Sequence, residues 1–165
     1  MSIIIRTLLI SLCPFLFMGA QLNTTQETEF CKTLKQIIAA SQENFEPIKK
    51  ERKAGMIDLY YTSSITLPTC QDTKIILSGE TWYMSCKMDE KRDLEKVNKY
   101  YNQLSGVIRG CFKNWKQSFE NSGRYSMVYY KDGSDKECGS RIKLSVVENG
   151  AKSGYYNVML AVYPN

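Results

Sequence analysis

Six cysteines and no histidine define the chemistry open to this chain of 165 residues. Without imidazole it lacks the one side chain whose ordinary pKa lies near neutrality, and so the usual base of acyl-transfer, nuclease and zinc-hydrolase sites. Triads built on histidine, zincin motifs and mixed Cys/His metal sites are closed. Carboxylate pairs, thiols and lysines remain. Cys13 lies in an apolar leader, so Cys31, Cys70, Cys86, Cys111 and Cys138 are left to the product, and an odd set predicts two bridges and one free thiol. No Cys-x-x-Cys occurs, which leaves zinc-ribbon and thioredoxin-type chemistry unsupported. Asp132, Ser134, Asp135 and Glu137 crowd oxygen ligands into one loop, but Lys136 stands where a calcium loop needs another oxygen. That loop reads as polar turn residues, and neither metal nor cofactor is expected. Glu80, Asp58 and Asp89 have no spacing that pairs them and read as surface charges.

The compartment follows from the amino terminus. Arg6, an uncharged run from Thr7 to Met18, and the small pair Gly19-Ala20 have the layout of a secretory signal peptide over residues 1–20. The run is too short to span about 30 Å of hydrocarbon. Leu12 before Cys13 does not suit lipidation, so no stable membrane anchor is expected after cleavage. The expected product is one secreted or periplasmic domain, residues 21–165, folded where thiols oxidise. Lys and Arg total 22 against 17 acids, and losing Arg6 lowers the formal charge from +5 to +4. So small an excess, interspersed with acids, does not point to nucleic acid.

Periodicity supplies the elements that must position the cysteines. Thr24-x-x-Glu27 offers a capping box, and Phe30, Leu34, Ile37, Ile38, Ser41 and Phe45 follow helical spacing up to Pro47. The charged run Lys49–Lys53 reads as a solvated connection. Alternation predicts strands from Ile57 to Leu67, Thr73 to Leu77 and Glu80 to Met88, the last two joined by a turn at Ser78-Gly79. A second helix runs from Leu94 to Phe112, with Asp89 and Glu90 at its start and Trp115 and Phe119 in a following turn. Three more strands are predicted: Arg124 to Lys131, Ser140 to Glu148 and Tyr155 to Tyr163. The expected fold is α+β, in the order α-βββ-α-βββ, an antiparallel sheet of about six strands with two helices packed on one face.

On that frame a turn centred on Ser78-Gly79 sets Gln71 opposite Cys86, and predicts a Cys70–Cys86 bridge closing the hairpin. If the helices run antiparallel, Cys31 near the start of the first meets Cys111 at the end of the second. Cys138 is left as a free thiol. Adjacent strand residues face opposite sides, so Tyr61, Trp82 and Tyr156 fall beneath the helices. Tyr60, Tyr83 and Tyr155 then share the other face with Asn157, Tyr163, Met159, Lys87 and Lys143. An aromatic and polar mixture of this kind suits recognition of another protein, although it also suits a ladder that merely stabilises the sheet. The expected function is a protein-binding module, an inhibitor, immunity factor or chaperone, in preference to an enzyme. The alternative is a histidine-independent hydrolase of carboxylate or thiol type acting on cell-wall sugar or peptide. Asn23-Thr24-Thr25 also matches a glycosylation acceptor.

Overall fold

The computed structural model describes residues 23–55, 59–119, 125–130 and 140–164. The proposed leader, Asp58, Cys138 and its acidic loop therefore lie outside the described residues. Helix α1 (Thr24–Ser41) is followed by a single 3-10 turn (Glu46–Ile48) and four strands: β1 (Lys49–Ala54), β2 (Leu59–Ser63), β3 (Asp72–Ser78) and β4 (Thr81–Lys91). Helix α2 (Leu94–Cys111) is followed by β5 (Lys116–Phe119), β6 (Tyr125–Tyr130), β7 (Arg141–Glu148) and β8 (Tyr156–Tyr163). All neighbours pair antiparallel in one sheet ordered β1-β2-β3-β4-β8-β7-β6-β5. The order reads as two meanders of four strands, each led by a helix, meeting along β4 and β8.

The sheet therefore has eight strands where alternation predicts six. The two unpredicted strands, β1 and β5, are its two edges. An edge strand buries little on either face, so it needs no apolar alternation and gains from charge that discourages pairing with another chain. Lys49–Ala54 reads KKERKA and is a strand, not a solvated connection, because β2 supplies its hydrogen-bond partners from Ser63 to Leu59. Lys116–Phe119 is too short to show a period.

Caps shift by a residue or more from their expected places. Asn23, not Thr24, starts α1: its Oδ1 accepts from the Gln26 amide at 2.9 Å, and Gln26 Oε1 accepts from the Asn23 amide at 3.0 Å. The same side chain that matches the glycosylation pattern is thus the helix cap. Asn44 and Phe45 take positive φ, which ends α1 at Ser41 instead of carrying it to Pro47. Asp93 caps α2 through Oδ1 to the amides of Glu95 and Lys96, whereas Asp89 and Glu90 remain in β4.

One buried cluster joins both helices to the sheet. Phe30, Leu34 and Ile37 of α1 and Val97, Leu104 and Ile108 of α2 meet Met84 and Cys86 of β4, Leu144 of β7 and Leu160 of β8. Tyr61, Trp82 and Tyr156 pack against the same cluster. Register carries it across the strands: Cys86 opposes Leu160, which opposes Leu144. Cys31 and Cys111 form a disulfide with Cα atoms 5.3 Å apart, joining the start of α1 to the end of α2.

The β3–β4 hairpin turns at Gly79-Glu80, with Ser78 opposite Thr81. Gly79 has φ +61°, and placing it at the first of two turn positions moves the register two residues from the Ser78-Gly79 expectation. Faces are preserved, but Cys86 now opposes Thr73 and not Gln71. Cys70 and Cys86 stand as free thiols.

The disulfide closes a separation of 80 residues, for which chain entropy gives roughly 4 to 5 kcal/mol. Replacing Cys31 and Cys111 by Ala is expected to lower the urea midpoint and the unfolding free energy, the latter by up to that amount, with a steeper slope as the uncrosslinked chain expands. A midpoint within error of the parent would show that the bridge does not stabilise the fold.

Candidate functional site

Parity along the strands sorts side chains onto two faces, and the face opposite the buried cluster carries the predicted tyrosines. Tyr60 opposes Ile76, which opposes Tyr83. Tyr83 then stacks on Tyr163 of β8, with ring centroids 5.5 Å apart and planes 20° from parallel. Three tyrosines from three strands form one row across the sheet. Stacking beyond simple area burial contributes about 0.5–1.5 kcal/mol per ring pair.

Cations flank this row on the same face. The Arg141 guanidinium, on the strand beyond Tyr163, lies 4.7 Å from that ring's centroid. Lys74 Nζ lies 5.1 Å from the Tyr60 ring and 2.8 Å from Asp72 Oδ2. That carboxylate, accepting a hydrogen bond from the ammonium, raises the Lys74 pKa and keeps it charged. Lys74, Ser85, Ala161 and Lys143 form the next row by register. Toward β6 the face closes, because Val128 and Ser145 are buried. The half-buried aromatic and basic strip therefore runs over β2, β3, β4, β8 and the near half of β7.

Tyr155 and Asn157 lie elsewhere on the molecule. Tyr155 precedes β8, eight residues before Tyr163, which at about 3.3 Å per residue separates the two by roughly 26 Å. Its ring takes Arg92 at 5.0 Å and Lys152 at 5.4 Å. Asn157 opposes Glu90 and Val147, and its Oδ1 is buried without a hydrogen-bond partner among the described residues. The predicted face thus divides into a tyrosine row at one end and a charged cluster at the other.

A β-bulge builds that cluster. Register slips between Lys87 and Asp89, so Glu90 returns to the side of the sheet that Lys87 occupies, and the two form an ion pair. Lys152 reaches the other carboxylate oxygen at 2.8 Å, and Asn149 Nδ2 donates to Glu90 at 3.0 Å. The Lys152 hydrogen bond foremost, then Lys87, holds the Glu90 pKa down at about 2. Nothing in the alternation of β4 signals the bulge, which is why Glu90 reads as a helix-start acid from sequence.

Lys49 was also hidden in the sequence. Only 6% of its side chain is exposed, with Nζ 3.5 Å from the Trp82 ring centroid and 5.3 Å from that of Tyr61. Glu46 Oε1 pairs with it at 2.5 Å. A buried ammonium is tolerable because a carboxylate and two ring faces replace its water. The carboxylates considered for catalysis do not meet: Glu80 lies in the turn before β4, and Asp89 lies nine residues along, roughly 30 Å at strand rise. Among the described residues no three of Cys, Asp and Glu are grouped to hold a metal ion. No described helix is long and apolar enough to cross a membrane.

No protein-family model matches the chain, and no curated protein or solved structure matches it.

The Glu90 cluster has a pH signature. Because its folded pKa is depressed from the ordinary carboxylate value of 4.5 to about 2, its contribution is complete above that ordinary value and fades as pH falls toward 2. Glu90→Gln is expected to lower stability at pH 7 and to flatten the stability profile between pH 5 and pH 2, read by urea melts. An unchanged profile would show that the cluster does not act in the folded state.

Proposed function

We propose that this chain is a small protein-binding module of the secreted or periplasmic space, docking its partner through the row Tyr60, Tyr83 and Tyr163. The observation that carries the reading is the stacked Tyr83–Tyr163 pair, flanked by Arg141 and continued toward Tyr60 and Lys74 on the face turned from the buried cluster. Aromatic rings with arginine beside them are the side chains that most often dominate binding energy at protein interfaces, because they bury much area with few rotors. Strands fix their spacing in advance. Little ordering entropy is then lost on docking.

The compartment is supported by two independent features. The amino-terminal sequence has a leader's layout, and the Cys31–Cys111 disulfide fits an oxidising, extracytoplasmic environment. An inhibitor, an immunity factor or a chaperone of exported proteins would each use such a stapled, pre-ordered surface.

The test is affinity capture from the native envelope or medium with the mature chain, followed by titration of the retained protein. Tyr60→Ser, Tyr83→Ser and Tyr163→Ser together are expected to weaken binding at least tenfold with the far-end variant Tyr155→Ser near parent affinity. Circular dichroism serves as the control for folding. Undiminished binding by a folded triple variant would overturn the reading.

A further inference from the structure

The loop into β3 is built under strain. Leu67-Pro68-Thr69-Cys70 closes a turn in which the Cys70 amide donates to the Leu67 carbonyl at 3.1 Å. Thr69, in the third position, has φ +67°. That position suits glycine when φ is positive, and a β-branched residue there is strained. Its hydroxyl hydrogen-bonds the Tyr100 hydroxyl of α2 at 2.8 Å, which holds the strained turn against the helix. The turn delivers Cys70 to one place. Cys70 Sγ donates to the Asp72 carbonyl at 3.2 Å and lies 3.0 Å from Thr73 Oγ1. Thr73 is the cross-strand partner of Cys86, with Oγ1 3.7 Å from Cys86 Sγ. Two thiols therefore share one hydroxyl, Cys70 half-buried and Cys86 only 1% exposed, in a chain that already holds another disulfide.

We infer that Cys70 and Cys86 form an exchangeable dithiol–disulfide pair, in which accessible Cys70 reacts first with an external disulfide and buried Cys86 resolves it. In the first step the Cys70 thiolate attacks one sulfur of a small disulfide RSSR, forming Cys70–S–S–R and releasing RS⁻. In the second, Cys86 gives up its proton to solvent and attacks the Cys70 sulfur, releasing a second RS⁻ and closing the intramolecular bond. Two protein thiols are oxidised and one external disulfide is reduced to two thiols. The electrostatics agree with this division of labour: the hydrogen bond from Cys86 lowers the Cys70 pKa to about 7, and the same contact, with burial, raises that of Cys86. A thiol with pKa near ambient pH is the better attacking group. Closure would join the strained turn, and through Thr69 the middle of α2, to the central strand.

Mass mapping of the mature protein after incubation with oxidised glutathione and alkylation under denaturing conditions tests this. The expected product is a Cys70–Cys86 cross-link beside the intact Cys31–Cys111 bridge, opening on titration with reduced glutathione before Cys31–Cys111 does. In Cys86→Ala, glutathione is expected to accumulate on Cys70 as a mixed disulfide, and in reduced parent protein alkylation of Cys70 should rise with a midpoint near pH 7. Both cysteines alkylated after oxidation, or Cys70 joined to Cys138 instead, would overturn the pair. A Cys86→Ala protein whose Cys70 takes up no glutathione would overturn the assigned order of attack.

Discussion

The pairing of β4 with β8 is the constraint on which the rest depends. These strands bring Met84, Cys86, Val158, Leu160 and Val162 to one buried face, and the helices close over them. Because β4 ends the first meander and β8 ends the second, this single ladder joins two units that otherwise touch mainly through α1 and α2. Stacking of Tyr83 on Tyr163 spans the same seam on the other face. The candidate binding row therefore exists only when the halves are docked, and neither meander carries it alone.

Several polar groups taken out of water are matched, although Asn157 Oδ1 beside the seam has no partner among the described residues. Tyr129 and Ser105 hydrogen-bond within the buried layer, Thr69 meets Tyr100, and Lys49 is enclosed by Glu46, Tyr61 and Trp82. An unmatched buried hydroxyl or ammonium costs far more than such a bond contributes. These pairs consequently fix how the helices and the edge of the sheet sit relative to the core.

Both helices and six of the strands are legible in the sequence because each buries one face and so shows a clean period. Edge strands β1 and β5 are not, since KKERKA carries charge instead of alternation and KQSF is too short to alternate. Cys31 and Cys111 are readable as partners because two helix ends define where they lie. That Cys70 and Cys86 meet is readable from the hairpin, but the Thr73 hydroxyl between them is not, because it depends on Gly79 taking the first turn position and on Thr69 adopting a left-handed conformation. Parity places Tyr60, Tyr83 and Tyr155 on one side. Distance along the strand, which parity ignores, groups Tyr163 with the first two and sends Tyr155 to the far end. The bulge in β4 is invisible for a related reason: it changes register without changing composition.

The disulfide has a topological meaning that its contribution to stability does not exhaust. Cys31 belongs to the first helix-and-meander unit and Cys111 to the second, so the covalent link crosses the seam between them. Were two nascent molecules to trade equivalent halves, the same sulfurs would meet across different chains and weld them together. The bond, once made within one chain, bars that exchange.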